Sequence, residues 1–433
     1  MRTKVAFRIG DIPRFKSNLL IWAKQFTEVV WLDSNDHKDE YGSYDALLAA
    51  DALTSLSTDY HGAFSDLKAY QESVNDWLFG YLSYDLKNDI EDLTSQNTDN
   101  LGFHDLSFFQ PKRIITIQGK IAEFIYLNML SEEIEADFNS IIAVNFQKES
   151  TKPHTHIPIK IRLRIYKDQY FRQVNEMLKR IHRGDIYEAN FCQEFFAENT
   201  SIDPERTYKK LNTISKTPFA AYLRMQDKYL LSASPERYLK KSGDKLVSQP
   251  IKGTARRSAN TEEDKALKRN LQQDIKERAE NIMIVDLVRN DLSKSALKGS
   301  VHVAELCKVK TFKQVHQMIS TVEAKVSKGK SGVEIIKETF PMGSMTGAPK
   351  VSAMKIIEDL EASKRGLYSG AVGYFTPEGD FDFNVVIRSI LYNDTKKYVS
   401  YSVGSAITAK ASPENEYQEC LLKAKAMREV LEG

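Results

Sequence analysis

A lysine amine and a carboxylic acid that share a cleft can work as nucleophile and general acid, and residues 234–254 carry such a pair. Lys252 stands in Gln249-Pro-Ile-Lys-Gly-Thr254, a turn punctuated by proline and glycine, and Glu236 stands in Ser234-Pro-Glu-Arg237. Ser242-Gly-Asp244 reads as a turn between them. The stretch therefore folds back as a hairpin, with Glu236 and Lys252 near its two ends. By residue type alone, both side chains belong on the surface. The rest of the chain gives the pair a different meaning.

Glu280 closes the polar run Lys276-Glu-Arg-Ala-Glu280, just before the apolar Ile282-Met-Ile-Val285. Glu416, Glu419 and Lys423 share one face of a C-terminal helix at helical spacing. Each cluster reads either as a solvated, salt-bridged helix face or as one half of a Mg²⁺ site, an ion that bridges carboxylates to an anionic substrate. Phe340-Pro-Met-Gly-Ser-Met-Thr-Gly-Ala-Pro-Lys350 is a glycine- and proline-broken loop leading into a helix over 351–360. Amides and small residues there suit an anion, although the Gly-Lys-Ser/Thr of a Walker loop is missing. Val403-Gly-Ser-Ala406 offers amides of the same kind, and Arg388 sits among the apolar residues of Val385-Val-Ile-Arg-Ser-Ile390, where a guanidinium calls for a carboxylate partner. His154-Thr-His156 is a weak candidate for a metal pair within a polar segment.

The elements that must position these groups are legible in outline. At 433 residues the chain has room for two or three folding units. Residues 1–145 form one, with strands at Val29–Leu32 and Ile114–Ile117 and helical stretches at Ala46–Leu53 and Leu67–Leu78. Residues 146–167 read as a linker, running through the polar Lys148–Pro158, and a first strand of alternating apolar and basic residues; 168–433 form the second unit. There a helix over Asp168–His182 ends at Gly184, and strands follow at 186–197, 219–224, 229–233 and 245–248. One long helix begins at Asn260, with Glu263 completing a capping box and Leu267, Leu271 and Ile275 as its core stripe. Further strands lie at 370–376, 383–393 and 397–404. A last helix is capped by Ser412 with Pro413 in its first turn. Antiparallel hairpins mixed with helices predict an α+β fold.

Composition removes several function classes. With 61 basic and 59 acidic residues the net charge is +2, which gives no electrostatic footprint for nucleic acid or an anionic membrane. Cys192, Cys307 and Cys420 are too far apart for a zinc spacing and too few for a disulfide framework. Reduced thiols and the lack of a long apolar run predict a soluble cytoplasmic protein.

Taken together these residues resemble the chorismate-utilising enzymes, which include anthranilate, isochorismate, salicylate and aminodeoxychorismate synthases. The resemblance runs in order through Gly184-Asp-Ile-Tyr-Glu-Ala-Asn190, Ser234-Pro-Glu-Arg237, Pro250-Ile-Lys-Gly-Thr254, Arg278-Ala-Glu-Asn281, Val285-Asp-Leu-Val-Arg-Asn-Asp291, Gly347-Ala-Pro-Lys350, Gly370-Ala-Val-Gly-Tyr374, Ile387-Arg388 and Glu416-Tyr-Gln-Glu419. Gly80-Tyr-Leu-Ser-Tyr-Asp85 echoes the family's N-terminal lobe. The resemblance implies a two-lobed fold, antiparallel sheets forming a core sandwich with helices outside. It implies chorismate as substrate, Glu236 as general acid, and Glu280 and Glu419 as Mg²⁺ ligands. Tyr368 and Arg388, helped by amides around Gly404, would hold a substrate carboxylate; Gly253, Thr254, Thr346 and Lys423 fall in matching segments as further substrate contacts.

Lysine at 252, where anthranilate synthases carry alanine, resembles the aminodeoxychorismate branch. That branch implies attack by Lys252 on C2 of the ring, loss of the C4 hydroxyl, and addition of ammonia at C4. It demands a lysine deprotonated near neutral pH. Ammonia is expected from a separate glutamine amidotransferase subunit, since the matched region leaves no room for a glutaminase. Four departures from the family pattern stand out. Glu188 replaces the glutamine or lysine of relatives, and Gln317 replaces a histidine, with His316 one position early. Ser405-Ala406 stands in place of a glycine run and is expected to narrow the carboxylate pocket. Leu32-Asp-Ser34 only partly resembles a tryptophan-binding segment.

Overall fold

The computed structural model describes residues 1–144, 159–312 and 315–433. Both His154 and His156, with the polar segment around them, lie outside the described residues.

Among the described residues every pairing between strands is antiparallel, and one continuous sheet folds over into two layers. One runs from Glu28–Asp33 through Phe219–Met225, Lys228–Ser234, Ser389–Asn393 and Tyr398–Thr408 to Glu188–Ala197, while Arg2–Arg8 pairs with Ile121–Leu127 beyond the long strands. The other runs from Leu78–Leu82 through Ala371–Phe375, Phe381–Val385, Arg237–Ser242 and Lys245–Gln249 to Val315–Lys325, which also pairs with Ile251–Arg256 and His302–Thr311. The long strands Ala46–Thr58 and Leu106–Gln118 bend between the two layers.

Alternation along the strands separates the cores. Val30 joins the inner core with Leu223, Phe108, Phe383 and Tyr238. Val29 and Trp31 face the outer core with Leu19, Tyr170, Ile357 and Met427, side chains of covering helices. This is the expected α+β sandwich with helices outside.

Strands from either side of residue 145 pair with each other. Glu28–Asp33 pairs with Phe219–Met225, and Leu78–Leu82 with Ala371–Phe375. The hydrogen-bonded sheet thus crosses the boundary drawn from the sequence.

Four local expectations change. Residues 46–53 are strand rather than helix, because Ala46–Thr58 is hydrogen-bonded on both edges and that pairing overrides the helix preference of Ala and Leu. The single helix after Asn260 is two, Thr261–Gln273 and Ile275–Ser295. Asp274 takes an extended conformation between them and caps the second through the Glu277 amide, which leaves Ile275 exposed instead of in a core stripe. Asn260 caps the first helix as expected, but Glu263 bonds Arg256 and Ser258 rather than closing a capping box. The predicted strand 383–393 is broken at Arg388, whose φ is +52°.

Candidate active site

Glu236 and Arg388 lie on two neighbouring crossovers between the layers. One leads from Lys228–Ser234 into Arg237–Ser242, the other from Phe381–Val385 into Ser389–Asn393. Val385 N–H donates to the Glu236 carbonyl at 3.1 Å, and Ala233 N–H donates to the Arg388 carbonyl at 3.2 Å. The left-handed backbone at Arg388 turns the chain from one layer to the other.

Lys252 sits at a β-bulge. The register of Ile251–Arg256 against Val315–Lys325 shifts between Ile251 and Thr254, and Gly253 has φ +86°. A Cβ on Gly253 would lie 3.0 Å from Glu277 Oε2 and 3.2 Å from Leu271 Cδ1, so glycine is what lets this strand press against the two helices. The bulge re-aims the neighbouring side chain. Lys252 Nζ donates to Glu188 Oε1 at 3.2 Å, with the lysine side chain 12% exposed and the glutamate 1%. Glu188 Oε2 is buried without a hydrogen-bond partner.

Electrostatics set the protonation states. Burial raises the Glu236 carboxyl to about 7 against the opposing pull of a Ser344 hydroxyl, Lys252 and Arg388. Burial raises Glu280 to about 7 as well, offset in part by Lys252 and Lys276. Burial alone would depress Lys252, but Glu188, Glu280 and Glu236 together hold its pKa above the usual value. The fields of Glu188, Glu280 and Glu236 thus oppose the deprotonation that the sequence reading demands of Lys252.

Arg388 is half-buried. Among the described residues its guanidinium has no ion-pair partner, while burial depresses its pKa against the field of Glu236. Tyr368 is buried, its hydroxyl 3.9 Å from Cys192 Sγ. Gly404 meets the same cysteine: a Cβ there would fall 2.5 Å from Cys192 Sγ. Lys423 is committed within the protein, donating to the Gly404 carbonyl at 2.9 Å and pairing with Glu419 at 2.7 Å.

The two acidic helices do meet. Lys276 Nζ lies 3.7 Å from Glu280 and 3.5 Å from Glu416, and Glu419 is electrostatically coupled to Lys276, Lys252 and Glu277. No three acidic, histidine or cysteine side chains among the described residues are gathered as a metal site. The donor chemistry nevertheless fits a hard dication, since Glu280 Oε1 is buried and without a hydrogen-bond partner.

Other candidates land elsewhere. His316 is anchored to Asp264 and Thr311, at 3.0 Å each, on the helix side of its strand. Gln317 next to it points to the opposite face, its Nε2 buried and unpartnered. Thr254 is exposed. Ser405 lies 3.4 Å from the Tyr170 hydroxyl.

The loop expected to offer amides to an anion is closed on itself. Met345 N–H donates to Met342 and Thr346 N–H to Gly343, while the Thr346 carbonyl accepts from Asn190 at 2.8 Å. Lys350 Nζ fastens the loop through Asp291 at 2.6 Å and the carbonyls of Thr339 and Pro341. What the loop delivers is the Ser344 hydroxyl to Glu236. Sequence reasoning missed Ser344, Asp291 and Lys276; their motifs were visible, but not the contacts across the fold. Leu32, Asp33 and Ser34 line a separate cavity of about 440 Å³ with Asp39, Tyr44, Arg237 and Asp382.

Residues 22–429 match the family model of chorismate binding enzymes. The chain belongs to this family. It is 35% identical to an anthranilate synthase component I-like protein of Synechocystis, over 82% of this chain and 73% of that protein. It is 38% identical to aminodeoxychorismate synthase component 1 of Salmonella typhimurium, over 61% of this chain and 57% of that one. Anthranilate synthase component I from Streptococcus pneumoniae superposes with a TM-score of 0.74 at 26% identity, covering 91% of this chain and 94% of that one. Among the described residues no helix is long and apolar enough to cross a membrane.

Proposed function

We propose that this chorismate-binding enzyme is component I of an aminodeoxychorismate synthase, which exchanges the C4 hydroxyl of chorismate for an amine. The observation that supports this branch over anthranilate synthase is the amine of Lys252, held in the cleft within electrostatic reach of Glu236. Relatives bearing both names are similar to this chain, so the residues of the cleft carry the choice.

Arg388 and the Tyr368–Gly404 corner receive the carboxylates of the substrate. Lys252 passes a proton to Glu188 across their 3.2 Å contact, and its freed lone pair bonds to C2. The ring double bonds shift and the C4–O bond breaks. Glu236, whose carboxyl is held near 7, gives its proton to the departing hydroxyl, which leaves as water. Ammonia then bonds to C4 and Lys252 is released. Glu280 and Glu419 would hold Mg²⁺, which supplies positive charge for a substrate carboxylate. A glutamine amidotransferase subunit is the proposed source of ammonia.

Incubation with chorismate, Mg²⁺ and ammonium should give aminodeoxychorismate, recovered as 4-aminobenzoate only after a separate lyase is added. Accumulation of anthranilate would overturn the reading. Intact-mass measurement without ammonium should show a covalent adduct on the wild type and none on Lys252→Ala.

A further inference from the structure

Glu188 has one oxygen in use and one in reserve. Its Oε1 accepts from Lys252, while Oε2 is buried with no hydrogen-bond partner among the described residues. A buried acceptor left unmade is costly, of the order of 1–3 kcal/mol, and a side chain 1% exposed has no bulk water to relieve it. The strand that carries it is fixed on both edges. Glu188 pairs with Thr408 on one side and Ala348 on the other. The carboxylate is thus held beside the nucleophile by two sheet ladders, with an open acceptor.

We propose that Glu188 Oε2 is the acceptor that holds the nitrogen nucleophile for attack on C4. This rests on the aminodeoxychorismate reading above. Ammonium is all donor, and a carboxyl oxygen in a site closed to solvent is the complement it needs. The oxygen remains an acceptor after Oε1 has taken the proton of Lys252, because a carboxylic acid keeps its carbonyl oxygen.

The second half-reaction then balances. Ammonium gives one proton to Glu236, which lost its own to the departing water. The nitrogen lone pair forms the C4–N bond, the two ring double bonds shift back, and the C2–Nζ bond breaks with its electron pair returning to Nζ. The proton parked on Glu188 goes back to Lys252. Glu188 therefore touches both nitrogens in turn, the one that leaves and the one that arrives.

The test separates this step from the first. The covalent adduct is formed with chorismate in the absence of ammonium, then chased with increasing ammonium on wild type, Glu188→Met and Glu188→Gln. Methionine keeps the bulk and removes the acceptor, whereas glutamine keeps a carbonyl oxygen. The ammonium concentration for half-maximal discharge should rise about tenfold or more in Glu188→Met and stay within about threefold in Glu188→Gln. In steady state Glu188→Met should raise KM for ammonium and leave KM for chorismate nearly unchanged, with Glu188→Gln within about threefold of the wild type in KM for ammonium, which serves if either variant forms adduct slowly. Equal ammonium dependence in all three proteins, or equal shifts in both KM values, would leave Glu188 as a partner of Lys252 alone and overturn the inference. A wild type that forms no adduct and releases anthranilate would instead sink the underlying reading.

Discussion

The amide of Val385 donates to the carbonyl oxygen of Glu236 at 3.1 Å, tying together the two crossovers that carry the acid and the guanidinium. Glu236 and Arg388 are therefore not on independent loops. Each is held by the backbone of the other's segment, and the pair keeps its spacing for as long as both layers hold. A site built this way places charge at the seam of a sandwich, where burial does the tuning.

Burial holds the Glu236 carboxyl at about 7, and its role requires the protonated form. In a profile of kcat/KM against pH at saturating Mg²⁺, activity should fall about tenfold per unit above about 7. Ser344 pulls that value down, so Ser344→Ala should carry the alkaline limb to higher pH. Glu236→Gln should cost about 10²–10⁴ in kcat with the fold intact by circular dichroism. An alkaline limb that Ser344→Ala leaves in place would assign it to another group.

Arg388 gives a prediction in which function and stability part company. A half-buried guanidinium with no ion-pair partner among the described residues contributes desolvation cost rather than support. Arg388→Met should raise KM for chorismate about tenfold or more. It should leave the melting temperature equal to that of the wild type or above it. A large drop in melting temperature would mean that the guanidinium serves the fold.

The parts of the site legible in the sequence are those with local causes. The turn at Ser242-Gly-Asp244 forms as expected between Arg237–Ser242 and Lys245–Gln249. Gly184 ends its helix with φ +92°. What the sequence concealed came from distant partners. Ala46–Thr58 is a strand because of neighbours at 28–33 and 106–118. The pKa of Lys252 is raised because carboxyl groups from residues 188, 280 and 236 act on it. Propensity and motif reading hold no information about which carboxylate will arrive from another layer.

Lys350 and Asp291 clamp the loop that delivers Ser344. Burial pushes Asp291 up and Lys350 down in pKa, each opposed by its partner 2.6 Å away. Breaking a buried pair from one side strands the other charge, which costs about 3–5 kcal/mol. Lys350→Met should lower stability by about that amount in urea titration, and Lys350→Met combined with Asp291→Asn should recover part of it. If the double variant is as unstable as the sum of the singles, the two side chains act separately and the clamp is not a pair.

The acidic helices give opposite signs at neighbouring positions. Glu280→Gln and Glu419→Gln each remove an anionic donor from a hard cation and should raise the Mg²⁺ concentration needed for activity. Lys276 competes for Glu280, lying 3.7 Å from it, and also pairs with Glu416 at 3.5 Å. Half of its side chain is exposed, so screening limits its effect, but the direction is fixed by Coulomb's law. Lys276→Met should therefore lower the Mg²⁺ requirement, and calorimetric titration with Mg²⁺ alone should show tighter binding than the wild type. A loosened Mg²⁺ response in Lys276→Met would place the ion away from Glu280. An unchanged response in both Glu→Gln variants would reduce the carboxylates to helix-surface charges held in place by lysines.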